Sequence, residues 1–579
     1  MIILQDMKKI FLTILAIGSV VCAQAQMDNV VEVENTYTPT VKDANKINVL
    51  PQAETTTVKH YDVEYQTDAK ATDDYAFEPA EAAQSDLLAK GEPENFLTLA
   101  GGNGGTLLTR GAYGWELSNK NTLHFDLSLR GHNKETEHFA DENLKWMQRF
   151  YQTKGDVLFE HKLNDLSRWY VRGGVTSSVF NYQPQEVLYY GNHIDGDILP
   201  TDKQHTWDAY AETGITPYRF GQFTVDGYLK MRVFKPKSDK LFRETAIYTE
   251  YEDGKTLVDY IDNEDTYEGA VNLDYEINDQ HSAGVGIKDR LLHYGSSTYK
   301  KQNAFEVLPH YAFSNEKVDL RLGARLIFES GLEQKFHVAP DASITVHVTP
   351  EVDVFGEARG GLYFNDLFMM NSLTPYWKTP NRQMASQFNQ VEANAGVKWH
   401  IRDGWFAKFY AGYDVSKNRA ELTAPIGQLS RNEVFTADGS LVHIDAHTKY
   451  SYKDILNLEA KGRFNGWSIK KRNPYYYESP AWRPVVEASA AASVQPVTGL
   501  RIGVDYEFAS FTSDENVDYK RPTTHNLGAS ISYKIPRQLL PLNLSVYCRG
   551  DNLLNQKYDA FYGYRTIGTT VLAGVALNF

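Results

Sequence analysis

The chain has 579 residues, a formal net charge of −15 and an aromatic content of 13%. An acidic chain does not supply the basic patch that nucleic-acid binding requires, so nucleic acid is not expected as a partner. The mean hydropathy of −0.46 excludes a helical membrane protein. It is compatible with a transmembrane barrel, in which every second strand residue faces water.

The first residues have the pattern of a secretory signal peptide. Lys8 and Lys9 precede an apolar run from Ile10 to Val21, and Ala23-Gln24-Ala25 forms an A-x-A cleavage site. The apolar run is too short to span a membrane as a helix. Residues 1–25 are therefore predicted to be a cleaved signal peptide, and the protein is predicted to be exported.

Residues 26–93 differ from the rest of the chain. They are rich in Thr, Glu, Asp, Lys and Ala, and they contain two short alternating segments at 30–34 and 58–65. Such a composition predicts a mostly irregular segment whose short pieces can pair with another protein. We expect this segment to lie in the periplasm or to occlude a lumen.

From residue 94 to residue 579 the dominant pattern is alternation of apolar and polar residues. Residues 267–277 and 318–328 both alternate in this way, as strands with one apolar face do. The terminal segment places Val571, Val575 and Phe579 on one such face. A soluble sandwich would also alternate. A lipid-facing barrel explains in addition why the chain ends on an exposed aromatic residue.

The connections between these segments are asymmetric. Short polar turns, such as 118–121 and 402–404, alternate with longer polar stretches around 131–148, 184–205, 236–263, 366–388 and 418–447. Outer-membrane barrels have short periplasmic turns and long external loops. We therefore predict an all-β fold, a transmembrane antiparallel β-barrel of about 22 strands, over residues 94–579.

The last thirty residues resemble the end of TonB-dependent outer-membrane receptors. The segment Asn552-Leu553-Leu554-Asn555-Gln556-Lys557-Tyr558 matches the Asn-Leu-x-Asn-x-x-Tyr element of that family, and Gly563-Tyr564-Arg565 and the terminal Phe579 follow it. The resemblance implies a 22-strand barrel in the outer membrane of a Gram-negative cell. It also implies insertion by the barrel assembly machinery, with Leu577 and Phe579 as the assembly signal, and import of a scarce ligand powered from the inner membrane.

One departure from the family concerns its N-terminal plug domain and the short box that pairs with TonB. Residues 26–93 are too short for the plug, so the resemblance is to a plugless relative, and the composition is similar to that of chains from the Bacteroidetes group. Val30, Val31, Glu32 and Val33 loosely match the TonB box. A generic short strand is the alternative interpretation, so TonB-energised import does not follow from the resemblance.

No catalytic, cofactor or metal site is predicted. The histidines are dispersed, and Gly101–Gly105 lacks the Lys-Ser/Thr of a phosphate loop, so we predict a turn there. Cys22 is expected to leave with the signal peptide, which leaves Cys548, in an alternating strand, as an outward apolar residue. An enzyme is not expected.

An apolar group inside one long loop is the candidate ligand contact. It consists of Phe368, Met369, Tyr376 and Trp377. Contact with a ligand and packing of the loop against the barrel wall are both open.

The predicted function is binding or passage of a solute at the cell surface. The alternative is a non-transporting scaffold whose N-terminal segment docks a periplasmic partner. The expected partners are outer-membrane lipid, the barrel assembly machinery, a solute of unknown identity, and TonB or another periplasmic protein.

Overall fold

A computed structural model describes residues 95–579 apart from 138–144, 184–202, 238–245, 251–255, 261–262, 297, 378–379, 381, 402–403, 424–431, 454, 471–482, 512–520, 537, 539–541 and 562. The predicted signal peptide and the segment 26–93, with Val30, Val31, Glu32 and Val33, lie outside the described residues.

Within the described residues, 22 strands form one antiparallel sheet. The first half of the sheet consists of β1 (Phe96–Gly102), β2 (Leu107–Ser118), β3 (Asn121–Glu137), β4 (Lys145–Lys162), β5 (Arg168–Asn181), β6 (Lys203–Phe220), β7 (Phe223–Lys237), β10 (Glu264–Asn278), β11 (His281–Tyr294), β12 (Gln302–Ser314) and β13 (Val318–Ser330). The second half consists of β14 (Lys335–Thr349), β15 (Val352–Tyr363), β16 (Gln387–Ile401), β17 (Trp405–Thr423), β18 (Glu433–Tyr452), β19 (Leu456–Lys470), β20 (Pro484–Val497), β21 (Leu500–Phe511), β22 (Thr524–Lys534), β23 (Asn543–Asp551) and β26 (Thr570–Asn578). Two hairpins lie in the connections: β8 (Ala246–Glu250) with β9 (Thr256–Tyr260), and β24 (Asp559–Phe561) with β25 (Tyr564–Arg565).

The sheet closes on itself between its first and last strands. Each strand pairs with the next one in chain order, and β26 pairs with β1, with Leu577 opposite Leu97 and Val575 opposite Leu99. A closed antiparallel sheet pairs its backbone groups between strands, which is what a lipid environment demands. The predicted transmembrane barrel and its strand number are confirmed.

The two faces of the strands differ as the alternation predicts. On β10, Val271 is 55% exposed on the outer face, and its neighbours Ala270 and Asn272 point to the other face. On the terminal strand, Val571, Val575 and Phe579 are exposed, whereas Leu572 is buried on the inner face. An apolar outer face in contact with lipid and a polar inner face are typical of transmembrane barrels.

The connections show the predicted asymmetry, but strands extend into two of the predicted long stretches. Residues 131–137 and 145–148 belong to β3 and β4, and residues 418–423 and 433–447 belong to β17 and β18. The turns between β2 and β3 and between β10 and β11 each have two residues outside the strands, whereas β15 and β16 are separated by residues 364–386. Both ends of the described barrel lie at the short-turn end, where the backbone N–H of Phe579 donates to the carbonyl of Asn95 over 2.9 Å. The ring of Phe579 stacks on Tyr113 with centroids 6.0 Å apart.

The Asn-Leu-x-Asn segment forms a turn at the long-loop end of β23. Asn552 and Asn555 both have positive φ angles, of 48° and 51°. Asparagine tolerates this left-handed region better than most residues because its short amide bonds locally. The Asn552 side chain makes two hydrogen bonds with the backbone of Gln556. It donates to the Gln556 carbonyl over 2.9 Å and accepts the Gln556 N–H over 3.0 Å.

In the glycine-rich segment 101–105, Gly101 and Gly102 end β1, and Asn103–Gly105 form the predicted turn to β2. Gly104 and Gly105 both have φ of 62° within a one-turn 3-10 helix. The Asn103 side chain fastens the adjacent strand, donating to the Thr569 carbonyl over 3.0 Å and accepting the N–H of Val571 over 2.8 Å.

The described residues contain one α-helix, α1 (Leu367–Leu373), in the long connection between β15 and β16. Among the residues that the structure describes, no helix has the length and apolar character needed to cross a membrane.

Closure of the barrel depends on the absence of a side chain at Gly574. A Cβ atom there would collide with the Leu99 carbonyl oxygen and lie 2.6 Å from the Ala100 Cβ. We predict that Gly574→Ala weakens the β1–β26 pairing and reduces the fraction of heat-modifiable, folded barrel on gels. Gly101→Ala, which meets nothing within 4 Å, is the matched control. Equal folded fractions for the two variants would contradict this account of closure.

Candidate functional site: a lid across the lumen

Residues 364–386, called the lid, fold into the long-loop end of the barrel. The helix α1 lies in this segment, and it buries Leu367, Met370 and Leu373 completely or nearly so. These three positions are spaced by three residues, so they share one face of the helix. The lid therefore turns an apolar face towards the barrel wall.

The buried face of the lid packs against inward-pointing side chains of many strands. The cluster joins Leu367, Met370, Leu373 and Trp377 to residues of β7, β11, β12, β13, β14, β15, β16, β17 and β18, namely Phe234, Leu292, Tyr294, Ala304, Ile327, Ala339, Leu362, Phe388, Ala420 and Val434. Burial of each such side chain contributes about 1.5–3 kcal/mol relative to exposure. This side of the lid is held by a continuous apolar core.

A carboxylate of the barrel wall caps the helix of the lid. Glu264, at the start of β10, accepts the backbone N–H of Leu367 over 2.6 Å and that of Phe368 over 3.1 Å. The first N–H groups of a helix have no partner within the helix, so their burial requires an external acceptor. Glu264 is itself 1% exposed. The buried oxygens of Glu264 and the buried N–H groups of Leu367 and Phe368 therefore satisfy each other's hydrogen-bonding requirement.

The N-cap residue of α1 is Asp366, which accepts the Met369 N–H over 2.7 Å. Burial raises the pKa of Asp366, and the hydrogen bond from Met369 lowers it in part. A second carboxylate, which is half-buried, lies at the same helix end as Glu264.

Two arginines of the barrel wall lie against aromatic rings of the lid. The Arg232 guanidinium carbon lies 3.9 Å from the Phe368 ring centroid, and that of Arg290 lies 5.1 Å from the Phe364 centroid. Cation–π contacts of this kind contribute about 0.5–2 kcal/mol each. The two guanidinium groups also supply positive charge next to the carboxylates of Glu264 and Asp366.

Further hydrogen bonds fasten both ends of the lid. At the entry, the Asn365 amide donates to the carbonyls of Ala385, over 2.6 Å, and Asn418, over 2.7 Å. At the exit, the Ser386 hydroxyl donates to Glu329 over 2.6 Å. The lid is therefore tied to the wall at its helix and at both of its ends.

The other side of the lid contacts a second cluster through Tyr376. This ring stacks on Tyr564 with centroids 3.4 Å apart and an interplanar angle of 5°, a contact called the latch. Tyr564 belongs to β25, and the Tyr564 hydroxyl accepts the backbone N–H of Gln183 over 3.3 Å. The second cluster is completed by residues of β4, β5 and the β24–β25 hairpin and by Tyr182, namely Trp146, Phe150, Phe180, Tyr182 and Phe561. The lid spans the lumen between the two clusters.

The structure brings the four predicted loop residues together in the lid. Tyr376 and Trp377 are each 3% exposed, and Phe368 and Met369 are partly buried against the first cluster. All four pack locally, which was one of the two interpretations that the sequence left open. Contact with a ligand stays a prediction.

Other predicted residues lie apart from this site. Leu577 and Phe579 are on the terminal strand at the short-turn end, and their role as an assembly signal stays a prediction. Cys548 lies on β23, opposite Ala573 of β26. The apolar residues that alternate with it along β23 face outward, as predicted for Cys548.

No local pattern in the sequence indicates which residues hold the lid. Glu264 is one of many acidic residues in alternating strands, and it lies 103 positions before its partner Leu367. Tyr564 belongs to the C-terminal motif that resembles the receptor family, but no local sequence pattern pairs it with Tyr376. Both partnerships arise from closure of the barrel.

A row of alternating charges lines the lumen below the lid. Arg172, Glu212, Lys230, Glu268 and Arg290 occupy directly opposite positions on the five adjacent strands β5, β6, β7, β10 and β11. Arg172 contacts Glu212 over 2.8 Å, Lys230 contacts Glu212 over 3.6 Å, and Arg290 contacts Glu268 over 3.3 Å. Opposite charges at facing positions stabilise a sheet modestly and keep this wall hydrophilic.

A serine, a glutamate and a histidine meet at the exit of the lid without forming a nucleophile–base pair. Glu329 lies between the other two, accepting from Ser386 over 2.6 Å and contacting His337 over 3.0 Å. Activation of a serine requires the imidazole to contact the hydroxyl. Among the described residues, no group of three or more His, Cys, Asp or Glu side chains is placed to hold a metal ion.

No family model and no curated protein matches the sequence. Solved structures do match. The pyoverdine receptor FpvA of P. aeruginosa is 11% identical, with a TM-score of 0.59 over 84% of this chain and 72% of that one. The ferric-catecholate import receptor Fiu of E. coli K12 is 10% identical, with a TM-score of 0.56 over 84% of this chain and 82% of that one. The copper transporter OprC is also 10% identical, with a TM-score of 0.58 over 84% and 81%. The chain shares the barrel fold of these proteins.

Removal of the Glu264 carboxylate should release the lid. Glu264→Ala leaves two buried N–H groups of α1 without acceptors, at a cost of about 1–3 kcal/mol for each. We predict faster proteolytic cleavage within residues 364–386 of the folded full chain. Glu276→Ala, at the short-turn end of the same strand, is the control and should leave lid cleavage unchanged. Equal cleavage rates for both variants and the parent would contradict the capping role.

Proposed function

We propose that this chain, which has the barrel fold of TonB-dependent outer-membrane receptors, binds or passes a hydrophilic solute at the outer membrane of a Gram-negative cell. The observation that carries the proposal is the lid, which crosses a polar lumen at its long-loop end and is held unequally on its two sides. The structural neighbours support the same class of function. FpvA and Fiu are receptors and OprC is a transporter by description.

The lumen wall is suited to a hydrophilic solute. Its charged groups are paired with one another, as in the row from Arg172 to Arg290, so the wall offers hydrogen bonds without a large unpaired charge. Selectivity in such pores comes from diameter and from the donors and acceptors along the wall.

Opening is proposed to occur on the latch side of the lid. The opposite side rests on the apolar cluster and on the bonds from Glu264, Asn365 and Ser386. The latch side is joined to the second cluster by Tyr376. The Tyr376 ring contacts Phe180, Tyr182, Phe561 and Tyr564 there. This cluster has fewer members than the one on the opposite side, so the latch side is proposed to be the weaker of the two.

The wall next to the latch leaves room for a solute. On β20, β21 and β22 the inner face places small residues, such as Ser489, Gly503 and Ser530, between charged residues such as Glu487, Asp505 and Glu507. Small side chains leave more of the lumen cross-section open. A path between the latch and this wall is therefore proposed for the solute.

The N-terminal region enters this proposal only through its sequence. Cleavage after residue 25, occlusion of the lumen by residues 26–93 and pairing of Val30, Val31, Glu32 and Val33 with TonB are all proposed from sequence alone. Insertion by the barrel assembly machinery through Leu577 and Phe579 is proposed on the same basis.

A non-transporting scaffold is the second candidate function. It is favoured by the many bonds that fasten the lid, since a lid tied at its helix and at both ends would suit a barrel that stays closed. Residues 26–93 would then dock a periplasmic partner.

Conductance in planar bilayers distinguishes the two functions. We predict that Tyr376→Ala raises the open probability of the barrel, because it removes the latch and leaves the apolar cluster in place. The parent chain and the variant are each compared with and without residues 27–93, since that segment is itself predicted to occlude the lumen. Tyr452→Ala, an exposed residue of β18, is the control.

A Tyr376→Ala barrel that is folded and still closed after deletion of residues 27–93 would contradict passage past the latch. That result would favour the scaffold.

A further inference from the structure

The barrel wall is split at its long-loop end between β14 and β15. The ladder between these strands runs from Thr349–Val352 to Asp341–Arg359 and stops there. Above that point β15 pairs with β16 alone, as far as Tyr363 opposite Gln387. Lys335–Pro340 of β14, called the free edge, pairs on one side with β13 and has no ladder partner on the other among the described residues.

The split follows from the entry of the lid into the lumen. The β15–β16 register shifts between Arg359 and Gly361, which directs β15 inward and carries Leu362 into the apolar cluster. Gly360 at this bend has no room for a side chain, because a Cβ would lie 2.6 Å from the Asn389 carbonyl oxygen. Pro340 ends the free edge and has no N–H with which to extend the ladder.

A cavity of about 540 Å³ lies along the split. It is lined on one side by the free edge and on the other by the exit of the lid and by β17, with Glu329, Lys335, His337, Phe388 and Lys417 among its residues. Its size falls within the ~300–1,000 Å³ of small-ligand pockets. Four residues of the free edge, Lys335–Val338, line the cavity. At about 3.4 Å each they give a length of about 14 Å, which matches an extended peptide of about four residues.

The free edge offers backbone groups to such a peptide. Strand residues direct their N–H and C=O groups alternately to the two neighbours, so about half of the six residues face the split. Unpaired strand edges readily accept another strand. Phe336 and Val338 are 56% and 55% exposed, and they offer apolar contacts next to this backbone.

The charges along the cavity favour an acidic group on the peptide. Lys335 contacts Glu333 over 2.6 Å, so its charge is already paired, and the His337 ring contacts Glu329 over 3.0 Å. Lys417 lines the cavity and makes no ion pair within the described part of the chain. Its ammonium is therefore available to a carboxylate of the bound peptide.

We propose that the free edge and the cavity beside it form a binding site for a short extended peptide with an acidic residue. The peptide adds a strand to β14 at Lys335–Pro340 and places its carboxylate at Lys417. This site is separate from the solute path past the latch, and it does not require the lumen to conduct.

The test uses the full chain in detergent micelles and a fluorescently labelled peptide of sequence Val-Thr-Val-Asp, followed by anisotropy. Binding is expected to saturate, and N-methylation of two peptide amides should weaken it roughly tenfold or more, because N-methyl groups remove the hydrogen bonds of a strand pair. Equal binding of the methylated peptide, or no saturable binding of either, would overturn the proposal.

Substitution of the lysine tests the position of the peptide. With both peptides made as C-terminal amides, Lys417→Gln should weaken the acidic peptide about threefold to tenfold and leave a Val-Thr-Val-Asn peptide unchanged. Lys162→Gln, at the short-turn end of β4, is the matched control. A photo-crosslinking version of the peptide should label the free edge. Labelling elsewhere would overturn the proposal. Displacement of both peptides by anionic phospholipid, together with no effect of methylation, would show a lipid site and would also overturn it.

Discussion

Burial of the α1 N-terminus inside the barrel is the constraint on which the lid depends. A helix that begins inside a lumen has N–H groups that neither lipid nor the helix itself can satisfy. Glu264 supplies two acceptor oxygens from the wall, and Asp366 supplies a third from the chain itself. Each Glu264 oxygen accepts one backbone N–H, and these two bonds offset part of the cost of burying the group. The position of the lid therefore follows from pairing of buried polar groups as much as from its apolar face.

The same lid explains two departures from a regular barrel. It leaves the wall by drawing the end of β15 inward, which opens the split beside Lys335–Pro340. It crosses the lumen and meets the β24–β25 hairpin through the latch between Tyr376 and Tyr564. One inserted segment thus accounts for the closed long-loop end, the unequal support of the lid and the free edge.

Much of the barrel could be predicted from the sequence, because strand alternation and turn chemistry are local. The outer face of β10 and the turn at Asn552 and Asn555 are both encoded by neighbouring residues. The lid could be located as an apolar segment in a long loop, but its contacts could not. The bond from Leu367 to Glu264 joins residues 103 positions apart, and the pairing of Tyr376 with Tyr564 depends on closure of 22 strands. No local pattern specifies such partners.

The distance across the latch in membrane-embedded protein tests the central claim most directly. Spin labels on Ser372→Cys and Leu554→Cys, exposed residues of the lid and of the β23–β26 connection, report this distance when Cys548 is replaced by alanine. The account predicts one narrow distance population for the latched chain and a broader, longer one when Tyr376→Ala is added. An unchanged distribution in the variant would contradict a lid that is held on this side by the Tyr376–Tyr564 stack.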